Sequence, residues 1–210
     1  MKKIFFSLLA IIAISVVACN NGDGKKKDDG HDMNTMSKDT TKLPAVTDDT
    51  EIKAIAVTYT NVDIKAASSI KEIVGHYLHI KNALTNDNSS EAASGGRAME
   101  EAIGKLDKSL LVAAQEKVYS EIADDLKEHA EHIGKNAGNI KHQREHFAMM
   151  SEDVYDLVKA FGGGQPIYHD HCPMYNDGKG AIWLSEMKEV KNPYYGKEML
   201  GCGTVEEVIK

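Results

Sequence analysis

The stretch Ala66–Leu84 reads AASSIKEIVGHYLHIKNAL, and its apolar side chains recur at alternating steps of four and three residues. The recurring positions are Ala66, Ile70, Ile73, Tyr77, Ile80 and Leu84. An α-helix turns once in about 3.6 residues, so this spacing places these side chains on one face. The stretch therefore predicts an amphipathic helix that packs one apolar stripe against a core.

The same rhythm returns along the next part of the chain. It runs through residues 92–110, 119–137 and 140–161, and short breaks rich in Asn, Ser and Gly separate the segments. Short connections make consecutive helices antiparallel neighbours. We therefore predict a mainly α protein in which residues 56–164 form an up-down four-helix bundle.

The pattern changes after the fourth helix, where the apolar pieces become short and turn residues separate them. Ile167–Tyr168 and Ala181–Leu184 have the composition of strands, and Asn176-Asp177-Gly178 is a strong turn signal. Val205–Ile209 fits either a closing helical turn or a strand. Residues 165–210 are thus predicted to form a small, loop-rich α+β module with short strands. A piece of this size has too little core to be stable alone, so we expect it to pack on the bundle.

The N-terminus has the features of an export signal. Two lysines precede an apolar run from Ile4 to Ala18, which is shorter than the about 20 residues of a membrane span. The ending Val16-Val17-Ala18-Cys19 resembles the lipobox of bacterial lipoproteins, and the resemblance implies cleavage before Cys19 and a lipid anchor on its sulfur. Residues 1–18 are therefore predicted to be a lipoprotein signal peptide. We expect the mature protein to be lipid-anchored in the bacterial cell envelope, in the outer membrane on its periplasmic or surface face.

Residues 19–55 differ in composition from the rest of the chain. Residues 20–50 are rich in Gly, Asp, Lys, Asn and Thr, and they carry almost no large apolar side chains. Such a segment cannot bury enough apolar surface to offset the entropy cost of ordering it. It is therefore predicted to be a disordered tether between the anchor and the bundle.

Charge and motifs argue against two classes of function. The formal net charge is −7 and the chain has no basic stripe, so a nucleic-acid partner is not expected. The sequence has no nucleophile elbow, phosphate-binding loop or paired-carboxylate signature. We therefore predict that the protein is not an enzyme.

Soft metal ligands are concentrated in the C-terminal module. The run Tyr168-His169-Asp170-His171-Cys172-Pro173-Met174 is followed by Met187 and then by Met199-Leu200-Gly201-Cys202-Gly203. Thiolate, thioether and imidazole ligands favour copper(I) and similar soft metal ions over calcium or magnesium. The predicted ligands are Cys172 and Cys202 first, then Met174, His171 and Met199, and last His169 and Met187.

A disulfide between Cys172 and Cys202 is the alternative. Exported cysteines meet an oxidising environment, and a pair in a small unit commonly forms a bridge. The module would then be a disulfide-stapled interaction surface for an envelope partner, with no metal. The residue pattern alone is compatible with both.

Three pairs of histidines at helical spacing lie further upstream: His76 and His79, His129 and His132, and His142 and His146. Each spacing puts two imidazoles on one helix face. None has the His-Glu-x-x-His pattern of a helical zinc site, so we interpret them as surface or partly packed histidines.

Four blocks of the C-terminal module, in this order, resemble a bacterial domain family of unassigned function. They are Tyr168–Met174, Gly180–Ser185, Asn192–Gly196 and Met199–Gly203, and the similarity extends upstream through the helices to Tyr59. That family occurs alone in lipoproteins and at the end of periplasmic adaptor subunits of copper and silver efflux pumps. The resemblance implies a membrane-anchored, extracytoplasmic protein that binds Cu(I)- or Ag(I)-type ions and buffers them or hands them over. It also implies an efflux adaptor or a metal chaperone as the partner.

Overall fold

The computed structural model describes residues 52–210, so the predicted signal peptide, the lipid-bearing Cys19 and nearly all of the tether lie outside the described residues. Within that range the protein is mainly helical, with four long helices and a small sheet of four strands. The helices are α1 (Ile64–Thr85), α2 (Ser89–Lys105), α3 (Ala113–Lys135) and α4 (Ile140–Phe161). The predicted mainly α class is confirmed. Among the described residues, no helix combines the length and the apolar character needed to cross a bilayer.

Short polar side chains set the beginnings of three helices. The Asp63 Oδ1 accepts the N–H of Lys65 at 2.8 Å at the start of α1, and the side chains of Asn88 and Asn139 cap α2 and α4 in the same way. Gly162 ends α4 at a φ of 81°, a conformation that glycine adopts without strain. The helix ends therefore lie close to the breaks in the apolar rhythm.

The predicted stripes form the core of the helical part. Ile70, Ile73 and Tyr77 of α1 are buried, successive helices pack against each other, and α1 also contacts α4. The Tyr77 ring stacks on Phe147 with the two centroids 5.0 Å apart. The Tyr77 hydroxyl lies 2.8 Å from the Oγ of Ser151, so this polar pair is buried with its hydrogen bond made.

Three strands of the sheet follow the helices in the chain, and one strand precedes them. Its strands are β1 (Lys53–Ile55), β2 (Ile167–Cys172), β3 (Ala181–Ser185) and β4 (Thr204–Ile209), in the order β1-β4-β2-β3. Strand β2 is antiparallel to both of its neighbours, and β1 is parallel to β4. The last segment of the chain is therefore a strand and not a helical turn, because it pairs with β2 along its length.

Strand β1 corrects the predicted boundary of the tether. The sequence assigns residues 53–55 to the tether, but they pair with residues 207–209 of β4. The Lys53 Nζ also donates to the Glu207 Oε1 at 3.0 Å. A strand of three residues has no periodicity to recognise, and its pairing depends on a β4 edge that exists only in the folded chain.

Buried polar side chains fix the sheet to α1. The Tyr77 hydroxyl accepts the N–H of Leu184 in β3 at 2.9 Å. Lys81 is fully buried in α1, and its Nζ lies 2.9 Å from the Oε2 of Glu186, just after β3. A buried ammonium is costly unless it is paired, so this contact holds the end of β3 in one place on the helix.

Candidate metal site

Two cysteines from separate parts of the C-terminal module meet at the end of β2. Cys172 is the last residue of β2 and is fully buried, while Cys202 lies just before β4 and is partly exposed. Their Sγ atoms are 3.7 Å apart, and the two thiols are not bridged. The structure thus brings together the two residues that the sequence ranks first as ligands.

Met174 adds a third sulfur atom. Its Sδ lies 3.7 Å from the Cys202 Sγ, and its side chain is 51% exposed. The Tyr195 hydroxyl donates to the Met174 carbonyl at 3.0 Å and fixes the backbone there. The three sulfurs therefore run from a buried thiol, through a half-buried thiol, to a thioether at the surface. We call this group the sulfur cluster.

Asn192 holds the loop that carries Cys202. Its side chain is fully buried, its Nδ2 donates to the Cys202 carbonyl at 2.6 Å, and its Oδ1 accepts the N–H groups of Tyr194 and Tyr195 at 2.8 and 3.2 Å. The backbone N–H of Asn192 donates to the Leu200 carbonyl at 2.8 Å. One amide side chain thus links both ends of this loop, whose regular structure is limited to the single 3-10 turn Gly196–Glu198.

Gly203 lets the backbone beside Cys202 lie against the sheet. Its φ is 143°, and a Cβ there would sit 2.6 Å from the Trp183 ring and 3.0 Å from the His171 carbonyl. Only glycine fits such a close approach without displacing the neighbours. The position of Cys202 therefore depends on a residue that has no ligand atom of its own.

The spacing of the sulfur cluster suits a shared metal ion. Two sulfurs bound to one ion at about 2.3 Å lie about 3.8–4.0 Å apart, whereas a disulfide requires about 2.05 Å. Burial and the adjacent Cys172 thiol raise the pKa of Cys202, so the Cys202 thiol keeps its proton at neutral pH until an ion displaces it. A soft cation bound here would take the place of the thiol protons.

His169 and His171 do not join the sulfur cluster. Side chains alternate along β2, so both imidazoles leave the strand on the face opposite Cys172. Their Nδ1 atoms instead lie 3.6 and 3.4 Å from the carboxylate of Glu206. Burial lowers the pKa of His169, which stacks near the Tyr155 ring. The expectation that His171 supplements Cys172 overlooks this strand alternation.

Met187 and Met199 are each held by a backbone hydrogen bond. The Met187 N–H donates to the Ser185 Oγ at 3.2 Å, and the Met199 carbonyl accepts the Cys202 N–H at 3.0 Å. Within residues 52–210, the sulfur contacts of Cys202 are to Cys172 and Met174. Met199 therefore shapes the turn that carries Cys202, and the structure does not bring its thioether to the cluster.

A second group of candidate metal ligands lies on the helices, where the sequence predicts surface or partly packed histidines. His132 of α3 and His142 and His146 of α4 each offer a ligand atom, and these atoms lie within 4.8 Å of one another. The sequence contains a signal for this group of three histidines. Helices α3 and α4 are joined by residues 136–139 alone, and the two histidine pairs lie at similar distances on either side of that connection. In a tight helical hairpin, positions at equal distances from the connection lie side by side. The histidine pairs of α3 and α4 are therefore expected to lie close to each other.

The family comparison matches most of the helical part. A family model described as "Protein of unknown function (DUF3347)" matches residues 73–165. The chain contains a DUF3347 domain. That domain runs from within α1 to the end of α4 and includes the histidine group, whereas the sulfur cluster lies beyond its C-terminal limit. The curated proteins and the solved structures gave no match to the chain.

Proposed function

We propose that the protein is a membrane-anchored, extracytoplasmic binding protein for Cu(I)-type ions, including Ag(I), which it buffers or hands over. The observation that carries the proposal is the sulfur cluster, in which Cys172 and Met174 lie on either side of Cys202 at sulfur–sulfur distances of 3.7 Å. A disulfide staple alone would need only the two cysteines. The third sulfur is what favours a metal ion.

The composition of the cluster favours a monovalent soft ion. Thiolate and thioether sulfurs select Cu(I)-type ions, whereas a structural zinc site is closed by four ligands. The cluster offers two thiols and one thioether, and Cu(I) is stable with two or three sulfur ligands. When an ion binds, each coordinating thiol exchanges its proton for a bond to the metal, so uptake releases up to two protons.

The gradient of exposure supports a role in transfer. Met174 is 51% exposed and Cys172 is fully buried, so an approaching ion meets the thioether first. Exchange from Met174 to Cys202 and then to Cys172 needs no movement of the backbone, because Cys202 contacts both partners. The reverse order would release the ion to an efflux adaptor or a metal chaperone.

Four further features belong to the proposal. The lipobox-like ending at Cys19 supports a lipid anchor, and the apolar run before it supports export to the cell envelope. The contacts of α1 with α2 and α4, and of α3 with α2 and α4, support an up-down four-helix bundle. A non-enzymatic role is supported by β2, which turns His169 and His171 away from Cys172 and so separates thiol from imidazole.

The test is a Cu(I) titration of the reduced full chain against a competing chromophoric chelator. We expect one Cu(I) per chain at the sulfur cluster, and a fall in affinity of at least about 100-fold in Cys202→Ser, more than loss of an outer-sphere partner causes. Met174→Leu should lower the affinity by about tenfold, since it removes the weakest of the three ligands. Met149→Leu is the matched control, because Met149 is a similarly exposed methionine on α4, at 46%.

Two results would contradict the proposal. One is an unchanged Cu(I) affinity in Cys202→Ser. The other is a quantitative Cys172–Cys202 disulfide in the exported protein that persists in the presence of copper, seen as a mass lower by two hydrogens without reduction. The second result would favour the disulfide-stapled interaction module.

A further inference from the structure

Four imidazoles lie in contact where α3 packs on α4. The rings of His132 and His146 stack with their centroids 4.1 Å apart, and the ring of His142 meets that of His146 edge-on at 4.5 Å. His129 approaches from the next turn of α3, with its Nδ1 3.2 Å from the Nδ1 of His146. We call these four residues the histidine cluster.

We propose that His132, His142 and His146 form a second metal site, for a borderline divalent cation such as Zn(II) or Cu(II), with His129 and Asp153 as outer-sphere partners. Imidazole is a preferred ligand of both ions. The site uses nitrogen where the sulfur cluster uses sulfur, so the two sites are expected to select different ions.

The geometry needs only side-chain adjustment. Zinc binds imidazole nitrogen at about 2.0–2.1 Å, so three nitrogens on a tetrahedral ion lie about 3.4 Å apart. The ligand atoms of the three histidines are within 4.8 Å already. His142 and His146 are one turn apart on α4, and the side chains of His132 and His142 are 43% and 31% exposed. Rotation of these side chains can close the gap without moving either helix.

The electrostatic surroundings suit a cation. The Nδ1 atoms of His129 and His146 are 3.2 Å apart, and a hydrogen bond between them requires one of the two rings to accept there and so to be neutral. Two carboxylates lie beside the cluster, with Glu128 3.9 Å from His132 and Glu145 3.6 Å from His142.

His129, the partner of His146 on α3, has a carboxylate beside its other ring nitrogen. The His129 Nε2 lies 3.9 Å from the Oδ2 of Asp153, a buried atom without a hydrogen-bond partner among the described residues. Burial and the nearby Asp125 carboxylate raise the pKa of Asp153 to about 6, so it is ionised at neutral pH and only accepts hydrogen bonds.

A small rotation of His129 lets its Nε2–H donate to Asp153, which leaves its Nδ1 as an acceptor. His146 must then donate from Nδ1, and its Nε2 keeps the lone pair that a metal requires. Metal-binding histidines are commonly oriented by such carboxylate-containing chains.

The test uses the full chain in a Cys202→Ser background, so that binding at the sulfur cluster does not contribute. Zn(II) is titrated against a chromophoric chelator, and Cu(II) is added separately to record nitrogen hyperfine splitting by electron paramagnetic resonance. We expect one Zn(II) per chain, nitrogen splitting in the Cu(II) spectrum, and an affinity loss of about 100-fold or more in His142→Gln and in His146→Gln. Asp153→Asn should weaken binding by about 10–100-fold, as an outer-sphere partner does.

The matched control is His76→Gln, which removes a partly exposed imidazole of α1 outside the cluster and should leave the affinity unchanged. Circular dichroism checks that each variant is folded. Equal zinc affinities in His146→Gln and the parent chain, or an equal loss in His76→Gln, would overturn the proposal and leave the cluster as a packing contact of neutral rings. A failure of Cu(I) to bind the sulfur cluster would not affect this result, since the two sites share no residue.

Discussion

The sulfur cluster and the histidine cluster are built in opposite ways. The sulfur atoms come from the end of strand β2 and from a loop about thirty residues later, and Asn192 and Gly203 are needed to bring Cys202 to Cys172. The imidazoles come from one helical hairpin, where the regular geometry of α3 and α4 brings them together. A cluster on irregular backbone therefore depends on residues that contribute no donor atom, while a cluster on helices depends on little beyond helix spacing.

The largest expected effect is a crossed loss of binding. Cys202→Ser should lower the Cu(I) affinity by at least about 100-fold and leave the Zn(II) affinity unchanged, and His146→Gln should do the reverse. Parallel chelator competition with both ions on both variants measures this. Loss of both ions in either variant would show that the two clusters act as one site.

Asn192→Ala should be the most damaging change outside the ligands. It removes three side-chain hydrogen bonds in a buried site, so we expect the free energy of unfolding to fall by about 2–3 kcal/mol. The Cu(I) affinity should fall with it, and the Zn(II) affinity should not. Denaturant unfolding and the two titrations provide the measurements.

Asn86→Ala is the control for that variant, since the exposed side chain of Asn86 makes one hydrogen bond, to the Asn82 carbonyl at 2.8 Å. We expect it to cost less than about 1 kcal/mol. Full retention of Cu(I) affinity in Asn192→Ala would mean that the loop does not position Cys202.

Gly203→Ala tests the close approach beside Cys202. The new methyl group must displace the Trp183 ring at an unfavourable φ, so the variant should lose about 2 kcal/mol of stability. Gly75→Ala is the contrasting change, because a Cβ at this position in α1 meets no heavy atom within 4 Å and should stabilise the helix by about 0.5–1 kcal/mol. Thermal unfolding of both variants separates a glycine that is required from one that is not.

The smallest effect concerns the contact that links the two regions. Arg144 lies on α4 between His142 and His146. It donates to the Pro193 carbonyl, in the loop that carries Cys202, at 2.8 Å and to the Asp87 carboxylate at 2.7 Å. Slight desolvation acts to raise the pKa of Asp87, but the hydrogen bonds from Arg144 and Lys197 outweigh it and lower the pKa below 3.8.

A depressed carboxyl pKa stabilises the folded state above the unfolded pKa, and this stabilisation is lost as the pH falls through the folded value. Asp87→Asn should therefore cost about 0.5–1 kcal/mol at pH 7, a value limited by solvent screening. The difference from the wild type should shrink below about pH 4. Urea unfolding at several pH values measures it, and a difference that is constant with pH would exclude the charge as the cause.

The helices were predictable because each one repeats its own local signal. The signals are local. The apolar stripe runs through Ile70, Ile73 and Tyr77, and the helix caps are Asp63 and Asn139, so each signal depends on residues close together in the chain. Strand β1 was not predictable in this way, because three residues carry no period and their partner lies more than 150 positions away along the chain.

The sulfur site was only partly predictable. Residue type alone indicated Cys172, Cys202 and Met174, and the structure brings these together. It does not bring His171 to them, because a strand turns neighbouring side chains to opposite faces. The histidine cluster is not indicated by the spacing within either helix, because its members come from two helices.

The sequence by itself determined the helical class, the positions of most elements and the chemical identity of the donors, since each of these depends on residues close together in the chain. Only the tertiary structure decided which donors meet. Distances between side chains depend on strand alternation, on loop closure by Asn192 and on the pairing of α3 with α4. These are properties of backbone geometry across the folded chain, and no local pattern contains them.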